Sequence, residues 1–246
     1  MRHLAVVALL ALAATNGADA DEKKPVDLFT GESALVENFR PPSGDWFMAA
    51  DAFVDPGNAK LLKTRQGTGV AVNGEAGHTS HLVTKMEHGD CQVHIEFMVP
   101  EGSNSGVYLQ GRYEVQVLDS WGVEELKYGD CGGLYQRWHD EPGIEDSERG
   151  FEGVAPRVNA AKAPGEWQSF DITFRAPRFD EDGNKIKNAL FEKVVHNGAV
   201  IHENVERTGP TRSAMYNDEK PEGPIMLQGD HGPVAYRCFT VTPLEE

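Results

Sequence analysis

The stretch Arg112-Tyr113-Glu114-Val115-Gln116-Val117-Leu118, followed by Asp119, alternates polar and apolar side chains from Arg112 to Val117. A period of two is the geometry of a β-strand, so Tyr113, Val115 and Val117 share one face and Arg112, Glu114 and Gln116 the other. The apolar face predicts contact with a core. The opposite face is costly to bury unless something polar occupies it, which makes it a candidate working surface.

Upstream, Gly106 to Gln110 reads as the preceding strand and adds Tyr108 and Gln110, both able to hydrogen-bond a sugar hydroxyl. Further strand signals run through Gly69–Asn73, Ser80–Thr84, Cys91–Val99, Trp167–Arg175, Leu190–His196, Ala199–Glu203, Ile225–Gln228 and Val234–Thr242. Asn197-Gly198 between two apolar runs is a hairpin signal, and no long amphipathic helix competes. Many short strands, with 26 glycines among their turns, point to an all-β, concanavalin-like jelly-roll sandwich of two antiparallel sheets. Residues 21–246 are expected to form one domain. The segment Gly122 to Pro164 is too long for an idle connector, so it is expected to serve the site, with Asp140 to Glu152 as a lid or a disordered loop.

Arg2 and His3, the apolar run Leu4–Ala14 and the small residues Ala18-Asp19-Ala20 have the form of a secretory leader cleaved after Ala20. That predicts a periplasmic or secreted protein, and no stretch has the ~20 apolar residues of a spanning helix. The formal net charge of -16 argues against nucleic acid or anionic lipid as partners and favours a neutral small carbohydrate or a cation. Of the three cysteines, Cys91 and Cys238 read as small core residues, and a bridge from either to Cys131 is the alternative. The turn Asp180-Glu181-Asp182-Gly183-Asn184 is acidic enough for calcium but lacks the longer run of spaced oxygen ligands of an EF-hand loop. No metal is expected. His78 and His81 at their spacing need not converge, and His88, His94 and His196 read as surface or cross-strand residues.

The spacing Glu114-x-Gln116-x-x-Asp119 is similar to the Glu-x-Asp-x-x-Glu signature of retaining β-glucanases. Here the middle carboxylate is an amide and the last is a shorter Asp, which weakens direct double displacement and allows Asp119 to cap the following turn instead. A wider resemblance rests on Leu28-Phe29-Thr30-Gly31, Asn104-Ser105-Gly106-Val107-Tyr108, Gly111-Arg112-Tyr113-Glu114-Val115-Gln116-Val117-Leu118-Asp119-Ser120 and Gly132-Gly133-Leu134-Tyr135. It continues through Pro164-Gly165-Glu166-Trp167, Pro177-Arg178-Phe179-Asp180, Gly209-Pro210-Thr211, Gly223-Pro224-Ile225-Met226-Leu227-Gln228 and Asp230-His231-Gly232. Over nearly the whole chain after the leader, the sequence resembles the 3-keto-disaccharide hydrolase family. It departs from that family's pattern at Cys91, at Cys238 and at Gly229, which interrupts a Gln-Asp-His run.

The resemblance implies a hydrolase or lyase of oxidised, 3-keto glycosides that needs no redox cofactor, the ketone being made by a separate sugar oxidoreductase. A C3 ketone acidifies the C2 hydrogen, so the glycosidic bond can break by proton abstraction and elimination, followed by hydration. Glu114, His231 and Asp119 are the candidate acid and base, with Arg112 and Gln116 as donors to the enolate oxygen. Tyr108, Gln110, Tyr135, Gln136, Gln228 and Arg237 are candidate substrate binders, and Trp121 and Trp138, beside the long loop, are candidate stacking surfaces. Trp167 reads as core. A β-glucanase and a non-catalytic carbohydrate-binding module are the alternatives.

Overall fold

The computed structural model describes residues 24–41 and 44–245; the expected leader lies outside them. In chain order the strands are β1 (Val26–Asp27), β2 (Phe47–Asp55), β3 (Asn58–Val72), β4 (Leu82–His88), β5 (Cys91–Met98), β6 (Asn104–Leu109), β7 (Tyr113–Leu118) and β8 (Arg137–Trp138). They continue as β9 (Gly150–Phe151), β10 (Gln168–Arg175), β11 (Arg178–Phe179), β12 (Lys185–Lys187), β13 (Ala189–His196), β14 (Ala199–Arg207), β15 (Gly223–Leu227) and β16 (Ala235–Pro243). The only α-helix among the described residues is the single turn Ala34–Asn38, and none is long and apolar enough to cross a membrane.

The strands form an antiparallel jelly-roll sandwich. One sheet runs β14-β13-β10-β5-β16-β3-β2 with β1 also on β16, and the other runs β4-β15-β6-β7. Val93, Ile95, Phe97, Phe170, Ile172 and Phe174 of the large sheet pack against Val107, Leu109, Tyr113, Val115, Val117, Ile225 and Leu227 of the small one. These are the alternate residues of each strand, as the period of two requires.

The Asn197-Gly198 turn joins β13 to β14 with both residues at positive φ, 50° and 83°, the backbone that an Asn-Gly hairpin supplies. The long hairpin β2–β3 extends well upstream of the strand signal at Gly69. Its exposed half runs Asn58 to Gly69 with little alternation in burial, so it left no periodic trace. His88 and His196 are buried and not on the surface; burial lowers both from 6.5 to about 4. The three cysteines are free, and Cys238 is exposed because a bulge in β16 gives it a positive φ of 49° and turns it out of the core. Trp167 is only half-buried, beneath the Arg237 guanidinium at 4.0 Å. In the acidic turn, Asp180 accepts the amides of Asp182 and Asn184, so its carboxylate closes the turn.

Asp90, at the start of β5, is a local anchor. Its buried carboxylate accepts the Ala176 amide at 2.8 Å, two Arg178 nitrogens at 2.9 and 2.7 Å and Arg175 Nη1 at 3.1 Å. Each bond to a charged group contributes roughly 1.5–3 kcal/mol, and an acceptor removed from buried donors costs more than the bond itself. Asp90→Ala is expected to lower unfolding stability by about 3 kcal/mol, read from denaturant midpoints at unchanged m-value.

Candidate active site

The working surface lies on the outer face of the small sheet. In the β6–β7 ladder Tyr108 stands directly opposite Glu114, Gly106 opposite Gln116 and Asn104 opposite Leu118. Gln228, just past β15, donates its backbone amide to Gly106. Residues in register share a face, so Asn104, Tyr108, Glu114, Gln116 and Gln228 project together. With Tyr135, Arg212, Ser213 and His231 they line a polar cleft of about 260 Å³, close to the lower end of the ~300–1,000 Å³ typical of drug-sized sites and suited to a small polar ligand.

Glu114 is only 3% exposed. Burial raises its carboxyl from 4.5 to about 8, the hydrogen bond from Tyr108 opposing and the nearby Asp230 charge adding to the rise. At neutral pH it is a protonated acid. Room for it comes from Gly106, where any Cβ would collide with Glu114 Oε1 and the Tyr108 ring. The Tyr108 hydroxyl is pushed well above its ordinary range by burial and by Glu114, so it remains a neutral donor. Gln116 Nε2 donates to Asn104 Oδ1 at 2.7 Å, which fixes the amide at the cleft wall.

His231, the one histidine in the cleft lining, belongs to a histidine cluster around Asp230. His231 Nδ1 lies 2.5 Å from Asp230 Oδ1, a contact that places the proton on Nδ1 and leaves Nε2 as a free acceptor. The Gln228 amide lies 3.2 Å from the same ring nitrogen. His78 donates to the Asp230 carbonyl at 2.7 Å, and His81 Nδ1 sits 3.9 Å from the Asp230 carboxylate while accepting the Gly229 amide at 3.2 Å. The two histidines converge on Asp230, which their spacing alone did not require, because the loop after β15 folds back over them. Among the described residues no group of three or more His, Cys, Asp or Glu is arranged to hold a metal ion.

Several expected residues lie elsewhere. Gln110 and Arg112 belong to the β6–β7 turn and not to the alternating strand; Gln110 has a φ of 54°. The Gln110 amide group donates to the His88 and Pro221 carbonyls. Arg112 is buried, donates to the Asp218 and Gln110 carbonyls at 2.5 and 2.8 Å, pairs with the Asp218 carboxylate at 2.9 Å and covers Tyr216. Asp119 accepts the Gly102 and Trp121 amides at 2.9 and 3.3 Å. It is a turn cap outside the cleft, so Glu114 and Asp119 do not form a double-displacement pair there. Trp121 is 61% exposed and touches no part of the cleft. Gln136 is buried against Gly150, and Arg237 is bound to Glu96 at 2.6 Å on the large sheet. Trp138 lines a neighbouring pocket instead.

The long loop does reach the site. Gln116 and Gly132–Gly133 exchange backbone hydrogen bonds at 2.8–2.9 Å, and the Tyr135 amide donates to the Glu114 carbonyl at 3.2 Å, so residues 132–135 add an edge to β7. The acidic segment pairs β9 with β8 and forms a small hairpin. Asn104, Arg212, Ser213 and Asp230 were missed by sequence reasoning. Asn104 was legible as the start of the strand opposite Gln116, whereas Arg212 and Ser213 sit in an aperiodic loop that gave no signal.

Residues 24–242 match the sequence profile described as a 3-keto-alpha-glucoside-1,2-lyase-like domain. The chain is similar to a provisionally named glycosyl hydrolase from Parabacteroides distasonis, with 27% identity, a TM-score of 0.61 and coverage of 89% of this chain and 84% of that one. A second such protein from the same organism shares the fold, with a TM-score of 0.56 at 17% identity, covering 90% of this chain and 100% of that one. No curated protein matches the chain.

The high Glu114 pKa fixes the sign of a stability effect. The native state holds this proton from the ordinary 4.5 up to about 8, so it binds more protons than the unfolded chain in that window and loses stability as pH rises through it. Glu114→Gln removes the titration. Relative to the parent it should gain on the order of a few kcal/mol between pH 4 and pH 9, seen as a melting-temperature difference that grows with pH and is flat below pH 4. A pH-independent difference would place the carboxyl in solvent.

Proposed function

We propose, on the premise that the chain belongs to the 3-keto-alpha-glucoside-1,2-lyase-like family, that it is an exported carbohydrate-active enzyme cleaving 3-keto glycosides by elimination and hydration. The observation that carries this reading is a protonated carboxyl, Glu114, facing the same small polar cleft as an Asp-oriented histidine, His231. Those are the two proton-transfer groups that the reaction needs.

His231 Nε2 takes the proton from C2, the electron pair moving into an enolate at the C3 oxygen. The enolate collapses to expel the C1 oxygen, which takes its proton from Glu114. Water then adds across the new C1–C2 double bond. Asp230 orients the ring and stabilises its cationic form, as a carboxylate behind a catalytic imidazole does. The Gln116 and Gln228 amides are available as donors to the sugar oxygens, the Tyr108 hydroxyl proton being given to Glu114. A separate oxidoreductase would supply the ketone, so this chain's own residues need only acid and base.

Incubation with a 3-keto-glucoside and with the same glucoside unoxidised is expected to release sugar from the keto form alone. Release from the plain glycoside at a comparable rate would instead make this an ordinary glycosidase. Because Glu114 must be protonated, kcat/KM should fall above about pH 8. Glu114→Gln and His231→Asn should each lower kcat/KM by roughly 10²–10⁴, and an active Glu114→Gln enzyme would sink the assignment.

A further inference from the structure

Arg212 stands on the wall between two clefts. It lines the catalytic cleft with Glu114 and His231, and it also lines a neighbouring polar pocket of about 400 Å³ with Arg137, Trp138, Asp140, Thr211 and Asn217. Ser213 is shared in the same way, so the two spaces meet at Arg212–Ser213. A glycoside whose keto ring occupies the first cleft has a second polar space adjoining it here that can take its leaving group.

The guanidinium is held without being neutralised. Its Cζ lies 3.6 Å from the centre of the Trp138 ring, while among the described residues it has no ion-pair partner in a chain of net charge -16. Its backbone is fixed on both sides: the Arg212 amide donates to the Gln136 carbonyl at 2.8 Å, Thr211 holds the Arg112 carbonyl through both its amide and its hydroxyl, and the Met215 amide donates to Gly111. Ser213 carries a φ of 62°, a strained conformation for a residue with a side chain and one that tends to mark functional loops. The other cation of the pocket, Arg137, is occupied by Thr208, by Glu152 at 3.7 Å and by the Phe151 ring. Asp140 is the one carboxylate in the lining.

A guanidinium stacked on one face and exposed at its N–H edges is the arrangement that arginine uses to take a planar carboxylate in two parallel hydrogen bonds. The protein's own negative charge and Asp140 disfavour a dianion there, so a singly charged group fits better than a phosphate. We propose that the pocket beside Trp138 receives the leaving group, and that Arg212 selects leaving groups bearing a carboxylate, of the kind found in uronic-acid sugars. This rests on the reading of the catalytic cleft given above.

The test has a binding arm and a turnover arm. In calorimetry, glucuronate is expected to bind at least about 10-fold more tightly than glucuronamide, its neutral isostere. The difference should shrink in 0.5 M salt, fall to near one in Arg212→Met, and be only partly kept in Arg212→Lys, which retains the charge but not the fork. Equal binding of the two ligands to the parent protein, or a preference that survives in Arg212→Met, overturns the proposal. In turnover, 3-keto-glucosides of glucuronate and of glucuronamide are compared by the ratio of their kcat/KM values, and that ratio should follow the binding ratio across the same variants. Cleavage of neither glycoside while the binding contrast holds would refute the 3-keto reading and leave the carboxylate site standing; cleavage of both at equal kcat/KM would refute the carboxylate site alone.

Discussion

A carboxyl group set on the edge strand of a sheet and only 3% exposed constrains everything around it. Burial of an ionised carboxylate is prohibitive without a cation, and burial of a neutral one is tolerable if its oxygens are hydrogen-bonded. The surroundings of Glu114 meet the second condition. Tyr108 faces it across the ladder, Gly106 leaves the space that the carboxyl fills, and the loop around Gly132–Tyr135 seals the edge of β7 by backbone pairing. Each of these would be an odd choice for an ordinary outer sheet face. Together they make a site in which one proton is held up to about pH 8.

The placement of cations follows from the same constraint. Arg112 is close to Glu114 in sequence, and a salt bridge between them would pull the carboxyl down into the ordinary acid range. Instead the guanidinium is turned away, bound to Asp218 and two carbonyls and covering Tyr216. The β6–β7 turn is what diverts it, since the left-handed backbone at Gln110 and Gly111 breaks the alternation just before β7 begins. Arg212, the cation that does face the cleft, arrives from a separate loop and is held by Trp138. Only the charge of Asp230, which reinforces the rise, is felt directly by Glu114.

This division explains what the sequence could disclose. Period-two alternation identifies the face of a residue while it lies within a strand, so Glu114, Gln116 and Tyr108, all inside β6 or β7, were legible as neighbours. The same rule fails one residue beyond the strand. Arg112 and Gln110 in the turn were assigned to a face they do not occupy, and Asp119 after β7, a candidate acid with turn capping as its alternative, takes the cap. Aromatic residues beside loops were ambiguous for a related reason: Trp121 is left in solvent, while Trp138 is pinned under a guanidinium. Contacts between distant loops, such as His78 and His81 with Asp230, have no local pattern at all.

Half of the cleft therefore comes from loops, yet the geometry demanded of an acid and a base is as strict for one as for the other. The loop carrying His231 is made rigid by groups taken from the sandwich itself. The buried Asn73 side chain donates to the Gly229 and Gly232 carbonyls at 3.0 and 2.8 Å and accepts the Val234 amide at 2.8 Å, while the Ser103 hydroxyl donates to the Pro233 carbonyl at 2.6 Å. A Cβ on Gly77 would collide with the Gly232–Pro233 backbone and one on Gly232 with the Ser103 hydroxyl, and the Gly232 amide donates to the Gly77 carbonyl at 2.9 Å. Gly229, the position at which the Gln-Asp-His run is interrupted, has its carbonyl bound by both Asn73 and the Thr79 amide. These backbone contacts hold the loop so that His231 lines the same cleft as Glu114.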